Sequence, residues 1–479
     1  MNRKSVIASL IILSSIFLTG GSNRQGDDSY IIVGWNDLGM HCANKDFSKM
    51  AILPPYNNLF GHVIKRGTET SLPEIVTNGY SVNYSIPGNT YSIGKTNFWD
   101  FEDQLFGVNL PDNTGLTGKG LTGEMDIEGI YFKAEGIPVT PYTDNNLNAE
   151  DPYQLAQLEL YDNQNNLLAS TQNVIPVSNE INCVSSGCHS NEMDILYEHE
   201  REGGFVPTDT PHLCAGCHGS NALGLPGTPG LPSLSEAIHD KHADETNDCY
   251  KCHPGANTSC FRGVMHTAGL VCQDCHGSVA EVAQSIANGR EPWLEEPQCG
   301  ALDCHGPAYA EEPGKLFRQS RGHAGLFCST CHGSPHAIYP SSLGRDNLQN
   351  IALQGYAGIL NRCLVCHAVD PMGTGPHDLP FTSIQVLSNE NNGEMNIQPN
   401  FPNPFSWTTT LPFMISVSGK VLLEVINTDG KIVKTVVNQR MTPGRYQVEI
   451  NSNGLSTGIY YSRLSLNNKT LIQKMMVRE

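Results

Sequence analysis

The chain is short of positive charge. Of its 479 residues, 29 are Lys or Arg against 48 Asp or Glu, a formal net charge of −19. A surface of that sign repels phosphate backbones and anionic lipid, which excludes nucleic-acid binding and attachment to a membrane through a basic patch. Charged residues make up only 16% and hydrophobic residues 39%, while Gly (47) and Pro (29) are plentiful, so the chain is rich in turns and poor in the Leu and Ala that build large helical cores. Long apolar runs are missing too. The one marked run, Val6–Leu18 behind Arg3 and Lys4, is 13 residues long, too short to cross a bilayer as a helix, and residues 1–21 read as a cleaved secretory signal. Leu18-Thr19-Gly20 resembles the start of a lipoprotein signal box, but Gly21 stands where the lipidated Cys belongs, so no lipid anchor is expected.

Cysteine is not scarce, and its 16 copies are not scattered. Cys214/Cys217/His218, Cys249/Cys252/His253, Cys272/Cys275/His276, Cys328/Cys331/His332 and Cys363/Cys366/His367 all read C-x-x-C-H. At these frequencies chance supplies on the order of 0.02 such motifs per chain, so five mark haem attachment. Two thiols three residues apart lie on one face of a helical turn, placed to form thioethers with the two haem vinyl groups, and the following His reaches the iron from the same side. Cys183/Cys188/His189 and Cys299/Cys304/His305 read C-x4-C-H, with two extra residues that must bulge from the turn. Seven covalent haems are therefore expected. A disulfide framework gives no reason for His after the second Cys seven times, and zinc ribbons need no His at every pair. Stacked haem would also supply the apolar core that residues 181–380 lack in side chains.

Between 181 and 380 eight further histidines remain as candidates for the second axial position: His199, His212, His239, His242, His266, His323, His336 and His377. "HTAGLVCQDCHG" from His266 and "HAGLFCSTCHG" from His323 look like two copies of one repeat. Which His would serve which iron is not readable from spacing. Cys42 and Cys260 stand outside the motifs and could pair or remain thiols. His41, Cys42 and His62 could form a metal site, lend a ligand to a haem, or be structural.

On these motifs, residues 181–380 resemble a multihaem c-type cytochrome, and "CYKCHPG…CFRGVMH…CQDCHG" resembles stretches of exported cytochromes of metal-reducing bacteria. The resemblance implies electron transfer through closely spaced haems. The end of the chain carries "PNPF", apolar alternation, an Asp429-Gly430 turn, an Asn467-Asn468 turn and a closing Lys474-Met-Met-Val. These features are similar to the type A sorting domain of the type IX secretion system, a small antiparallel β-sandwich that acts as an address. Residues 401–479 hold nine Lys/Arg against four Asp/Glu, a local +5 against −24 for the rest.

The expected architecture is multidomain: a signal peptide (1–21), an N-terminal all-β, sandwich-like domain (27–180), a central haem-packed domain of short helices and loops (181–380), a linker (381–398) and a C-terminal antiparallel β-sandwich (399–479). Strands are expected at Tyr30–Val33, Ser81–Ile86, Ile127–Lys133, Leu155–Tyr161 and Leu167–Thr171. The expected function is an extracellular or cell-surface electron relay through bis-His haems, not a turnover enzyme. Its partners would be other redox proteins or extracellular electron acceptors and the type IX secretion machinery, and self-association into filaments is compatible with such a chain. The alternative is a multihaem reductase of a small nitrogen or sulfur oxyanion with one open iron. A third reading has the N-terminal β-domain bind glycan or a partner protein.

Overall fold

The computed structural model describes residues 29–478 apart from 256, 303, 307–310, 370, 372–375, 379–394, 401, 429 and 468. The expected signal peptide and most of the expected linker lie outside the described residues. No described helix is long and apolar enough to cross a membrane.

The described chain is multidomain and mostly β. Two five-stranded sheets enclose the N-terminal core. One orders Tyr30–Trp35, Asn58–Lys65, Tyr131–Glu135 and Asp126–Glu128, with Glu74–Ile75 on the side of Asn58–Lys65; the other orders His41–Cys42, Leu167–Ser178, Tyr153–Asp162, Tyr80–Ser85 and Thr122–Glu124. Tyr153–Asp162 shows why they face each other: Gln154, Ala156, Leu158 and Leu160 point inward and alternate with half-exposed residues. Ile32, Leu59, Val63 and Phe132 from the first sheet meet Val82, Tyr84, Leu158 and Ile175 from the second in one buried cluster.

The strand expected at Ile127–Lys133 is in fact two. Gly129, with φ of 59°, turns the chain so that Asp126–Glu128 pairs antiparallel with Tyr131–Glu135, a conformation glycine adopts without a Cβ clash. Leu167–Thr171 runs on to Ser178, and its last six residues are all buried because a second layer of chain covers the outer face.

At the C-terminus a three-stranded sheet (Met395–Ile397, Thr408–Ile415, Gly444–Asn451) packs against a four-stranded one (Ile432–Met441, Gly419–Asn427, Gly458–Leu466, Lys469–Val477). Leu411, Phe413 and Ile415 of the first meet Val421, Leu423 and Leu464 of the second in their shared core. Met395–Ile397 pairs with Phe413–Ile415, so these sheets begin inside the stretch read as linker.

The cysteine-rich segment has no comparable core. Among its described residues the longest helix is Glu192–Glu202, and between 181 and 260 the described buried aliphatic side chains outside proline are Leu196 and Ala215. From residue 260 onward the segment is bonded to the β-domain. Arg262, almost fully buried, forms a bidentate pair with buried Asp346 (Nε–Oδ2 2.7 Å, Nη2–Oδ1 2.9 Å), and its Nη1 donates to Gly39 O (2.6 Å) and Cys260 O (3.0 Å). Ser341 Oγ donates to Asp346 Oδ2 at 2.6 Å, and the Tyr153 ring lies 4.6 Å from the guanidinium. The Gln349 side chain behaves like a strand neighbour, accepting from Gly34 N–H (2.7 Å) and donating to Gly34 O (3.0 Å).

Removing one partner of a buried pair leaves the other charge stranded. Arg262→Ala or Asp346→Ala is expected to destabilise the N-terminal half by about 3–5 kcal/mol in denaturant unfolding followed by tryptophan fluorescence. The double variant Arg262→Met/Asp346→Leu is expected to recover most of that loss. A single variant within 1 kcal/mol of wild type would show the pair to be dispensable.

Candidate functional site

The strict motifs fold as one helical turn each. Cys214–Cys217, Cys272–His276 and Cys328–His332 are short helices, and Cys249–Lys251 and Cys363–Val365 are 3-10 turns. The turn closes on the first Cys carbonyl, which accepts the His N–H: His218 to Cys214 (3.0 Å), His253 to Cys249 (2.8 Å) and His367 to Cys363 (2.9 Å). The two expanded motifs close the same way. His189 N–H reaches Cys183 O and His305 N–H reaches Cys299 O, both at 3.1 Å, so the two extra residues bulge while the Cys-His ends keep their relation.

Six motif histidines each face a histidine from elsewhere. The ring centroids are 6.2 Å apart for His189–His242, 6.0 Å for His218–His199, 5.9 Å for His253–His239, 6.3 Å for His276–His336, 6.0 Å for His332–His377 and 6.1 Å for His367–His323. Every one of these pairs joins a motif His to a non-motif His. Van der Waals contact alone does not select this spacing, since rings in contact also come closer, as Phe205 and His212 do at 4.2 Å. Two imidazoles that share a metal ion from opposite sides, with bonds of about 2 Å, place their centroids about 6 Å apart.

The protonation of several rings follows from their partners. Nδ1 lies 3.0 Å from Pro232 O in His218, 2.7 Å from Ser235 O in His239, 2.7 Å from Ile238 O in His242 and 3.0 Å from Leu38 O in His336. A carbonyl only accepts, so Nδ1 carries the proton and Nε2 keeps its lone pair, the form that ligates a metal. Burial pushes His332 and His336 down to about 4 and lowers His239 and His367, which favours the neutral imidazole.

The motifs stand in single file. Thiols of successive motifs are electrostatic neighbours in the order Cys214 to Cys183, Cys183 and Cys188 to Cys252, Cys249 to Cys272, Cys275 to Cys304, Cys299 to Cys328 and Cys331 to Cys366. The first two motifs are thus exchanged relative to chain order. Among the described residues no disulfide joins these cysteines, and no three His, Cys, Asp or Glu side chains converge on one point. A zinc cage takes four ligands from the chain, whereas an opposed imidazole pair suits a metal already held in a plane by four other donors.

Two of the eight second-ligand candidates are not placed opposite a motif His by the described contacts. His212 packs on Phe205 and its Nε2 lies 3.2 Å from Val206 O, while His266 is exposed beside Phe261. The apparent repeat therefore does not carry over to contacts, since His323 faces His367 while its counterpart His266 faces Phe261. His305 lies beside residues 303 and 307–310, which are outside the description.

His41 and His62 are structural. His41 Nε2 bonds buried Asp37 at 2.8 Å, and Asp37 also accepts from Asn58 Nδ2. His62 bonds Ile130 O through Nδ1 (3.0 Å) and accepts the Phe327 N–H through Nε2 (3.3 Å), under Trp35 and Phe327. Cys42 lies next to Cys260; burial first, then that neighbour, pushes its thiol up to about 12. Sequence reasoning does not mark Arg262, Asp346 or Gly39, whose partners are remote in the chain.

Residues 400–478 match the family model of the secretion system C-terminal sorting domain. The C-terminal domain is thus a sorting domain, a partner of the type IX secretion machinery, and the protein is exported to the cell surface or beyond. The match spans about a sixth of the chain and does not reach the cysteine-rich segment. No curated protein matches the chain. Among solved structures, dimeric latent PorU from Porphyromonas gingivalis is 8% identical, covering 94% of this chain and 34% of that one, with a TM-score of 0.17. The BSP domain of a biofilm associated protein is 10% identical, covering 100% and 84%, with a TM-score of 0.16. An FMN-binding β-glucuronidase from Facaelibacterium prausnitzii is 9% identical, covering 94% and 76%, with a TM-score of 0.15. The chain spans about a third of the length of the first of these. TM-scores this low carry no argument about fold or function.

Burial holds His62 at about 4 against an ordinary 6.5, so the unfolded chain takes up the proton first as pH falls. The stability that neutral His62 contributes is fully present above pH 6.5 and is lost as pH drops through 4. His62→Gln, which offers one donor and one acceptor without titrating, is expected to flatten the pH dependence of stability across that window by up to about 3 kcal/mol. An unchanged profile would sink this account. Truncation before residue 400 is expected to leave the protein in the periplasm, by fractionation and immunoblot; normal delivery of the truncated chain outside would remove the address role.

Proposed function

We propose that the protein is an exported heptahaem c-type cytochrome that relays single electrons along its file of motifs. The observation that carries this reading is the set of six imidazole pairs, each joining a motif His to a non-motif His at the spacing of two ligands on one metal. The absence of a side-chain core around residues 181–260 supports it, because seven macrocycles would supply the missing apolar surface.

Haem, when bound, supplies reversible one-electron chemistry at iron. The chain's own residues do the rest. The fourteen motif thiols would hold it covalently and the motif histidines would be its ligands. His199, His239, His242, His323, His336 and His377, each paired with a motif histidine, would be the second ligands. The Nδ1–H bonds of His218, His239, His242 and His336 fix ring orientation and raise the donor strength of Nε2. At the six paired motifs two imidazoles would leave no position for a substrate, which favours relay over reductase. The acidic body favours cationic or metal-bearing redox partners or extracellular acceptors over anionic ones.

The expected haem content is seven per chain by pyridine haemochrome and intact mass. Five would mean that the expanded motifs at Cys183 and Cys299 stay empty. The ferric protein is expected to show only low-spin electron paramagnetic resonance signals, and the reduced protein to bind little carbon monoxide. A high-spin signal of one equivalent with matching carbon monoxide uptake would overturn the pure relay in favour of a reductase.

A further inference from the structure

We propose that the Asn36–Gly39 loop of the N-terminal β-domain is a positioning element for His336, and that it sets the redox potential of the His276–His336 centre. This rests on the haem reading above.

His336 takes its Nδ1 partner from another domain. His239 and His242 bond carbonyls one turn back in their own helix, and His218 bonds Pro232, whereas His336 bonds Leu38 O across 298 residues of sequence. The geometry of the loop aims that carbonyl. Asn36 Oδ1 accepts both Leu38 N–H (3.1 Å) and Gly39 N–H (2.8 Å). In a trans peptide the N–H and C=O point opposite ways, so holding the Gly39 N–H on Asn36 turns the Leu38 carbonyl toward His336.

The loop is held from both sides. Asn36 Nδ2 donates to Asn57 Oδ1 and Asn58 O, both at 2.8 Å, within the β-domain. From the cysteine-rich segment, Ser334 Oγ donates to Asn36 O (2.6 Å) and Arg262 to Gly39 O (2.6 Å). Gly39 has φ of +83°, and a Cβ there would sit 3.2 Å from Ser334 Cβ and 3.4 Å from His336 Cβ. Only glycine satisfies the backbone and the close approach together. The Nδ1–H···O=C bond makes His336 a stronger donor, which favours the oxidised state and lowers the potential of that centre.

The test is a potentiometric titration of the full-length haem-loaded protein, followed by electron paramagnetic resonance. His336→Met identifies the component that belongs to this centre. Asn36→Ala and Gly39→Ala are each expected to move that component upward by about tenfold in its redox equilibrium, or about 59 mV for one electron, with the other components unmoved. Should Gly39→Ala fail to fold, Asn36→Ala decides, with a full haem content showing that it is folded. Loss of all haem signal in the wild type would refute the haem reading itself. Haem-replete variants with the component unmoved, or with every component moved alike, would overturn the positioning role.

Discussion

Much of this structure hangs on the buried Arg262–Asp346 pair. Two charges removed from water are tolerated only where every donor and acceptor is engaged. Here the guanidinium bonds Asp346, Gly39 O and Cys260 O, while the carboxylate also takes Ser341 Oγ. Those contacts tie together three stretches distant in sequence: the β-domain loop, the start of the fourth motif's approach, and the 341–346 turn. The pair thus joins a domain that has its own core to a segment that lacks one. Among the described residues 181–259 the ties to the β-domain are lighter: His212–Leu213 pairs with Met50–Ala51, and Tyr153 Oη donates to Ser259 O at 2.6 Å.

The single file closes back on the β-domain at both ends. At one end, His212–Leu213, just before Cys214, pairs in parallel with Met50–Ala51. At the other, Gly67 N–H donates to Cys366 O, and Val365 joins a buried cluster with Ile31, Val33 and Ile64. Within the file, the helix Leu234–His242 presents His239 to His253 and His242 to His189. Residues three apart share a helix face, so this one helix fixes the separation of two imidazole pairs whose motif histidines, His189 and His253, are 64 residues apart in sequence.

What was legible in the sequence was whatever local chemistry forces. The motif turns were legible because Cys, Cys and His at fixed spacing close one helical turn, and the alternation of Tyr153–Asp162 follows from one buried face. The sorting domain was legible because its strands alternate and its turns are Gly- and Asn-marked. Asn58–Lys65 was not: almost wholly buried on both faces, it shows no alternation, and Gly61 and His62 disguise it. Nor was the pairing of rings, because His276 and His336, or His189 and His242, meet only through the fold. The resemblance between the His266 and His323 stretches misleads for the same reason, since similar local sequence does not decide which remote ring comes to face it.

The β-domain's role follows from what it touches. Its main core, around Ile32, Leu158 and Ile175, is built from its own residues, while Leu326 and Val365 cover Ile31, Val33 and Ile64 on the outer face, and polar bonds run outward there from Gly34, Asn36, Leu38, Gly39 and His62. Each ends on the stretch between residues 262 and 349, and the Leu38 bond ends on a ring that faces a motif His. A domain wired in this way constrains the geometry of the His276–His336 ring pair rather than simply docking beside it. On the proposed reading, any partner that bound the β-domain and shifted the Asn36–Gly39 loop would alter one redox step, and reduction of that step would by linkage alter the partner's affinity.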